Sequence, residues 1–275
     1  MIPGPFEYHR PDSVAEAAGL LAKLGDDARV IAGGHSLIPM MKLRMATPEH
    51  LIDLQDLSEL KTVSVDGSSA SIGALVTQSE LMEHDGLTKA LPILAEAARQ
   101  IADPQVRYVG TVGGNVANGD PGNDMPGLMQ CLNATFEVEG PGGSRAIAAR
   151  EFYHGAYDTA REEEEILTRV TIPIPAAKGY AYEKQKRKIG DYATAAAAVL
   201  VGGGEASVAM TNLADRPIWS EAAGAALAGG DAEGAVTAML ADIEPMADMK
   251  GPVEFKMHAA AVILRRAIER AQSRA

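Results

Sequence analysis

Arg29-Val-Ile-Ala-Gly-Gly-His-Ser36 is the stretch that decides how this chain reads. An apolar, strand-like run breaks at Gly33-Gly34 into small polar residues, and residues 37–45 then carry apolar side chains at helical spacing. A glycine pair at such a bend lets backbone N–H groups reach phosphate oxygens, because no Cβ holds the ligand away. His35 and Ser36 stand where the helix starts, and there unpaired N–H groups and the macrodipole favour an anion. Ala32 closes the strand before them. Taken alone, the pair reads just as well as a tight turn with no ligand. A second segment, Gly110-Thr-Val-Gly-Gly-Asn115, repeats the pattern, with Thr111 and Asn115 flanking Val112, Gly113 and Gly114. Two such bends predict a diphosphate held from both sides, and so a nucleotide cofactor.

Outward from the first motif, residues 1–57 alternate strand, helix, strand, turn, helix, strand. Ser13 or Asp12 caps a helix over residues 15–24, which Gly25 stops, and residues 50–54 form a short strand. This alternation makes a small α/β unit. Residues 58–175 read differently. Residues 62–75 alternate by twos around Asp66-Gly67, which is a hairpin signature. Helices are predicted over 78–84, 91–101 and 125–132, and strands over 135–139 and 166–172. Pro173-Ile-Pro175 marks a boundary. The third unit, 176–275, has strands over 179–184 and 207–213 around an alanine-rich run at 193–201 and a Gly202-Gly-Gly204 turn. A last helix over 254–272 follows, with Met257, Ala261, Ile263, Leu264 and Ile268 as its buried stripe.

Composition narrows the function. The 275 residues are 47% hydrophobic and 23% charged, as in soluble globular proteins. A net charge of −12 argues against nucleic-acid binding and against docking on anionic lipid. The first residues show no apolar signal-peptide core, and no stretch approaches the ~20 apolar residues of a membrane span. The expected location is cytoplasmic. The single cysteine, Cys131, excludes a disulfide framework, a self-contained iron–sulfur cluster or a cysteine-rich zinc site.

Other chemistries find no footing. The first glycine motif lacks the third glycine of the Rossmann fingerprint, although Asp53 lies where a ribose-binding acid would stand, and no Walker pattern occurs. There is no nucleophile elbow, and Cys131 sits in an apolar helix as a structural thiol. The six histidines are scattered with no H-x-x-x-H pair, so spacing offers no metal site. Asp120 and Asp124 lack calcium-loop spacing, and Asp120 reads as a turn residue bonding its own backbone. Glu162 to Glu165 reads as a solvated acidic turn. Val116-Ala-Asn-Gly-Asp-Pro-Gly-Asn-Asp-Met-Pro126 has too few bulky apolar side chains to pack a core, so it lines a cleft or a partner surface. Lys184-Gln-Lys-Arg-Lys188 reads equally as an exposed strand end or as a positive rim near a phosphate, with Tyr192 available to stack on an aromatic ring.

Together, Ala32-Gly-Gly-His-Ser36, Thr111-Val-Gly-Gly-Asn115, Ile101-Ala-Asp-Pro-Gln-Val-Arg107 and Lys186-Arg-Lys-Ile-Gly-Asp-Tyr-Ala193 resemble the FAD-binding medium subunits of molybdenum hydroxylases, the xanthine dehydrogenase and carbon monoxide dehydrogenase family. The resemblance runs the whole length. Asn118-Gly-Asp-Pro-Gly-Asn-Asp-Met-Pro126 and Gly179-Tyr-Ala-Tyr-Glu-Lys184 are most similar to the branch that oxidises carbon monoxide aerobically.

The resemblance implies an α+β fold of the PCMH type. It has a small N-terminal α/β unit (1–57), a middle antiparallel-sheet unit (58–175), and a C-terminal three-stranded sheet with a helix bundle (176–275). It implies that Ala32, Gly33, Gly34, His35 and Ser36 hold the FAD pyrophosphate through backbone N–H groups, with Thr111, Val112, Gly113, Gly114 and Asn115 closing over it. Asp124 would bond ribityl or adenosine hydroxyls, Ile101 and Leu167 would form apolar walls, and Lys184 would lie nearby. Tyr192 would screen one face of the isoalloxazine ring.

The implied partners are a small subunit with two [2Fe–2S] clusters and a large subunit with a molybdopterin cofactor and copper, arranged as a pair of heterotrimers. Electrons would reach FAD from the clusters and leave to a quinone, with the complex associating peripherally with a membrane. The same subunit in an aldehyde, purine or N-heteroaromatic dehydrogenase is the near alternative. A non-catalytic nucleotide-binding regulator and an assembly scaffold are the alternatives of another class.

Overall fold

The computed structural model describes residues 2–275. Near the N-terminus, β1 (Glu7–His9), β2 (Ala28–Ile31) and β3 (His50–Asp53) form a parallel sheet in the order β1-β3-β2. Helix α1 (Val14–Leu24) starts because the Ser13 hydroxyl accepts the Glu16 N–H at 3.1 Å, and it buries Val14, Ala17, Ala18 and Leu21 on one stripe. Helix α2 (Leu37–Lys42) is shorter than the spacing predicts, since the chain turns at Arg44, whose φ is +60°.

The middle of the chain builds an antiparallel sheet. Strands β4 (Val63–Val65) and β5 (Ser69–Gly73) form the expected hairpin, in which Asp66 Oδ1 accepts the N–H groups of Ser68 and Ser69 at 2.7 Å. Helices α3 (Gln78–Glu83), α4 (Asp85–Ala90), α5 (Pro92–Ala98), α6 (Pro104–Val109), α7 (Val112–Ala117) and α8 (Met125–Cys131) follow. Then come β6 (Thr135–Gly140), β7 (Gly143–Ala148), the two-stranded pair β8 (Tyr153–Gly155) and β9 (Asp158–Thr159), and β10 (Ile166–Pro173). The sheet order is β4-β5-β10-β6-β7, with Val170 opposite both Ile72 and Phe136. Ile72, Phe136, Val138 and Val170 are fully buried beneath the helices, and Phe136 meets Phe152 edge-on at 4.8 Å.

The C-terminal sheet pairs β11 (Gly179–Gln185), β12 (Ala195–Gly202), β13 (Glu205–Thr211) and β14 (Ile218–Trp219) in that order. It therefore has four strands rather than three. The two-residue β14 is too short to show alternation in sequence, and the Trp219 indole N–H pins it by donating to the Ser207 hydroxyl at 3.1 Å. The alanine-rich β12 lacks polar alternation because both its faces are covered. Ala196, Ala198 and Leu200 join the middle core, while Ala195, Ala197, Val199 and Val201 join the core of the C-terminal helices. Those helices are α9 (Glu221–Ala228), α10 (Ala232–Ala241) and α11 (Val253–Gln272). The buried stripe of α11 centres on Ala259, Ala260, Ile263, Leu264, Ala267 and Ile268, and Met257 and Ala261 are only half-buried. Small alanines let the helix sit close on the sheet, so the stripe is rotated from the one that bulk alone predicts. Among the described residues, no helix is long and apolar enough to cross a membrane.

Candidate functional site

A cleft of about 540 Å3 lies between these sheets. Residues 29–37 bound it on one side, residues between 101 and 124 and the start of β10 on another, and Lys184 and Gly190–Tyr192 close the third. Every residue predicted to bind cofactor lines it except Val112.

The first glycine segment leaves β2, and Gly34 adopts φ +70°, a conformation that favours glycine. Ile38 N–H closes the following turn on Gly34 O at 2.9 Å. Among the described residues, no protein acceptor takes the backbone N–H groups of Gly33, Gly34, His35 or Ser36. Such a row of unpaired donors lining a cleft is able to receive the oxygens of an anion.

The second segment works differently, and the expectation of a strand running into a turn is corrected here. Residues 104–109 are helical, Gly110 ends α6, and Thr111 caps α7 with its hydroxyl accepting Gly114 N–H at 3.0 Å. Val112 N–H donates to Val76 O at 2.8 Å, Gly113 N–H to Ala74 O at 2.9 Å, and Asn115 N–H to Thr111 O at 3.1 Å. These donors are already satisfied. Val112 points into the core with no exposure, so it forms no part of the cleft surface. Gly113 is glycine for packing, because a Cβ there would fall 2.5 Å from the Ala74 Cβ. The segment thus supplies a wall and leaves the anion donors to the first loop. The two loops touch: a Cβ on Gly33 would meet Val109 O.

Asn115 ties down the small-residue stretch below. Its backbone oxygen accepts from Asn123 Nδ2 at 2.8 Å, and its Oδ1 accepts Met125 N–H at 3.3 Å. Asp120 is a turn residue, taking Gly122 N–H at 2.8 Å. Asp124 is buried, and accepts from the Tyr182 hydroxyl at 2.5 Å and from Lys184 Nζ at 2.8 Å. The two charged side chains are 4% and 1% exposed, so Lys184, near the end of β11, is not an exposed strand end but a buried charge on the cleft wall. Lys184 Nζ also donates to Gln100 O at 3.4 Å, which leaves one of its protons for the cleft. Burial, and then Asp124, push the Tyr182 hydroxyl pKa well above its ordinary value, which keeps it a donor. Burial and the neighbouring Lys184 lower the pKa of the Lys186 ammonium. Ile101 and Leu167 contribute buried apolar wall.

At the mouth, Tyr192 is half-exposed, lies against Gly122 and donates to Asp120 Oδ2 at 3.2 Å. Its segment is clamped by a residue that sequence reasoning missed. Lys250 Nζ donates to Asp191 Oδ1 at 2.5 Å and to Tyr192 O at 3.1 Å, and Arg187 pairs with the other Asp191 oxygen at 3.0 Å. Lys250 first, then Arg187, hold the Asp191 carboxyl at about 2. Nothing in sequence spacing links Lys250 to Tyr192.

The acidic run is solvated at Glu162, Glu163 and Glu164, but its last residue is not. Glu165 is buried, lines the cleft and binds Arg145 bidentately at 2.6 and 2.8 Å, which lowers its carboxyl pKa. Arg161 donates to the backbone oxygens of Glu162, Glu163 and Glu165 and adds positive charge to the cleft wall. An isolated arginine beside an acidic run gave no signal of this.

Comparisons with known proteins agree with this architecture. Residues 4–175 match the family described as FAD binding domain in molybdopterin dehydrogenase, and residues 180–271 match CO dehydrogenase flavoprotein C-terminal domain. The chain is 54% identical to the carbon monoxide dehydrogenase medium chain of Afipia carboxidovorans, across 100% of this chain and 99% of that one. It is 37% identical to the glyceraldehyde dehydrogenase medium chain of Sulfolobus acidocaldarius, across 73% and 71%. It superposes on the solved reconstituted CO dehydrogenase from Oligotropha carboxidovorans with a TM-score of 0.96, at 55% identity over 100% of both chains.

Proposed function

We propose, from the premise that this chain belongs to the FAD-binding medium subunits of the molybdenum hydroxylase family, that it is the FAD-carrying subunit of a carbon monoxide dehydrogenase. The full-length identity to a medium chain of that enzyme carries the reading. FAD, when bound, supplies the redox chemistry of the subunit. The remaining work belongs to this chain's own residues.

The cleft fits the cofactor in its row of unpaired N–H donors, which the oxygens of a diphosphate would satisfy. The N–H groups of residues 32–36 bind the pyrophosphate. Thr111, Gly113, Gly114 and Asn115 form the facing wall. Ile101 and Leu167 exclude water. Asp124, held by Tyr182 and Lys184, orients the ribityl or adenosine hydroxyls, and the free proton of Lys184 faces the same groups. Tyr192 covers the isoalloxazine ring, fixed by the Lys250 clamp. No acid–base pair is needed, since oxidation of carbon monoxide with water takes place in a partner.

The three units 1–57, 58–175 and 176–275 are read as the working parts, with the cofactor between them. The partners are a small iron–sulfur subunit and a large molybdenum subunit in a cytoplasmic pair of heterotrimers, with a quinone as acceptor. The test uses the purified complex. Carbon monoxide should bleach the flavin absorbance of the wild-type complex under anaerobic conditions. A complex that bleaches only with aldehydes, purines or N-heteroaromatics would transfer the subunit to the sister enzymes, of which the glyceraldehyde dehydrogenase relative is an example.

A further inference from the structure

The free edge of the N-terminal sheet carries a cluster that the cofactor cleft does not use. Strands β1 and β3 run parallel with Glu7 opposite His50, and His9, two residues along β1, shares the face of Glu7. His9 Nε2 lies 3.1 Å from His50 Nδ1, and Glu7 Oε2 lies 3.4 Å from that same nitrogen. One ligand atom from each of the three side chains falls within 4.8 Å of the others. The imidazoles are not stacked; their planes tilt by 45° and they converge through their nitrogens. The His50 side chain is 19% exposed, while the Glu7 carboxylate is 75% exposed, so one wall is firm and one side is open to solvent.

The two separations to His50 Nδ1, 3.1 and 3.4 Å, are those of neighbouring ligands in a coordination shell. Tetrahedral bonds of about 2.0–2.1 Å place neighbouring ligand atoms about 3.3–3.4 Å apart. Without a metal, one shared proton makes a hydrogen bond between the two nitrogens and leaves none for the Glu7 oxygen 3.4 Å away. With one, both lone pairs and a carboxylate oxygen are used at once. Two imidazoles and a carboxylate suit zinc, copper or nickel better than magnesium or calcium, which prefer all-oxygen shells. The scattering of histidines along the sequence hides this pair, because parallel pairing of β1 with β3 is what brings position 9 to position 50.

We propose that Glu7, His9 and His50 form a binding site for a divalent transition metal of the zinc class, with water completing the shell. The site ties the three-residue edge strand β1 to β3, the strand next to the one that feeds the Gly33 loop. Its role is structural, and none of the three side chains lines the cofactor cleft.

The test titrates the full-length chain with Zn2+ against a chelating indicator and with Co2+ as a spectroscopic probe. One equivalent should bind, with the intense visible bands of tetrahedral cobalt and a rise in thermal midpoint. His9→Ala and His50→Ala should each weaken zinc binding by about a hundredfold or more, and Glu7→Gln should weaken it less, with flavin content unchanged. If the alanine variants fold poorly, Cu2+ bound to the wild-type chain should show two imidazole nitrogens in its spin-resonance spectrum. A wild-type chain that takes up no stoichiometric metal, variants that bind as it does, or a copper signal without two nitrogens would each overturn the proposal.

Discussion

Gly33 lies so close to the carbonyl oxygen of Val109 that a Cβ on Gly33 would fall 2.2 Å from it, and 2.9 Å from the Gly110 Cα. The two glycine loops therefore meet backbone to backbone, and the gap between them is set by the missing side chain. Gly33→Ala must push the loops apart. Overpacking of this kind costs about 1–3 kcal/mol. At 1.4 kcal/mol per decade, FAD affinity should fall roughly fivefold to 150-fold, read by flavin release on dilution. Gly67→Ala, at a hairpin turn with open space around it, serves as the control and should leave affinity unchanged.

The Asp124–Lys184 pair predicts a double-mutant signature. Removing one partner of a buried pair leaves a desolvated charge and costs about 3–5 kcal/mol. Lys184→Met and Asp124→Asn should each destabilise the chain by that order in urea titration. Combining them should cost clearly less than their sum, because neither charge is then left alone. Strict additivity would mean that the pair does not interact.

Acid should act on the Tyr192 segment through Asp191. Its carboxyl is depressed from 3.8 to about 2 by Lys250 and Arg187. A depressed carboxyl contributes stability that is present above the unfolded value and lost as pH falls through the folded one. The clamp should therefore persist above about pH 4 and open only between there and about pH 2. In Lys250→Met, the carbon-13 titration midpoint of the Asp191 carboxyl should move up towards 3.8. An unmoved midpoint would remove Lys250 from the clamp.

Cys131 should be chemically silent. It is buried, its Sγ donates to Ala198 O and Ser207 O at 3.4 Å, and burial pushes the thiol up to about 12. Only the thiolate reacts, so a disulfide reagent should label the native chain negligibly and the urea-unfolded chain completely.

Much of this architecture was legible because local rules and tertiary demands agreed. The Ser13 cap, the Asp66-Gly67 hairpin and the strand breaking at Gly33 each follow from adjacent residues. The second glycine segment misled because helix α6 is short and leaves Tyr108 and Val109 exposed, so an apolar run looked strand-like. The satisfied N–H groups of Val112 and Gly113 depend on Val76 and Ala74, partners that no window around position 112 contains. Lys250 on the Tyr192 segment and His9 beside His50 were out of reach for the same reason. Pairings across large sequence separations appear only once the sheets are assembled.

The central claim is that the Gly33–Ser36 loop recognises a diphosphate. Equilibrium binding of FAD and of riboflavin to the flavin-stripped chain tests it most directly, because riboflavin has the ring and ribityl chain but no phosphate. FAD should bind one to one, and riboflavin orders of magnitude more weakly. Riboflavin binding as tightly as FAD would contradict the claim.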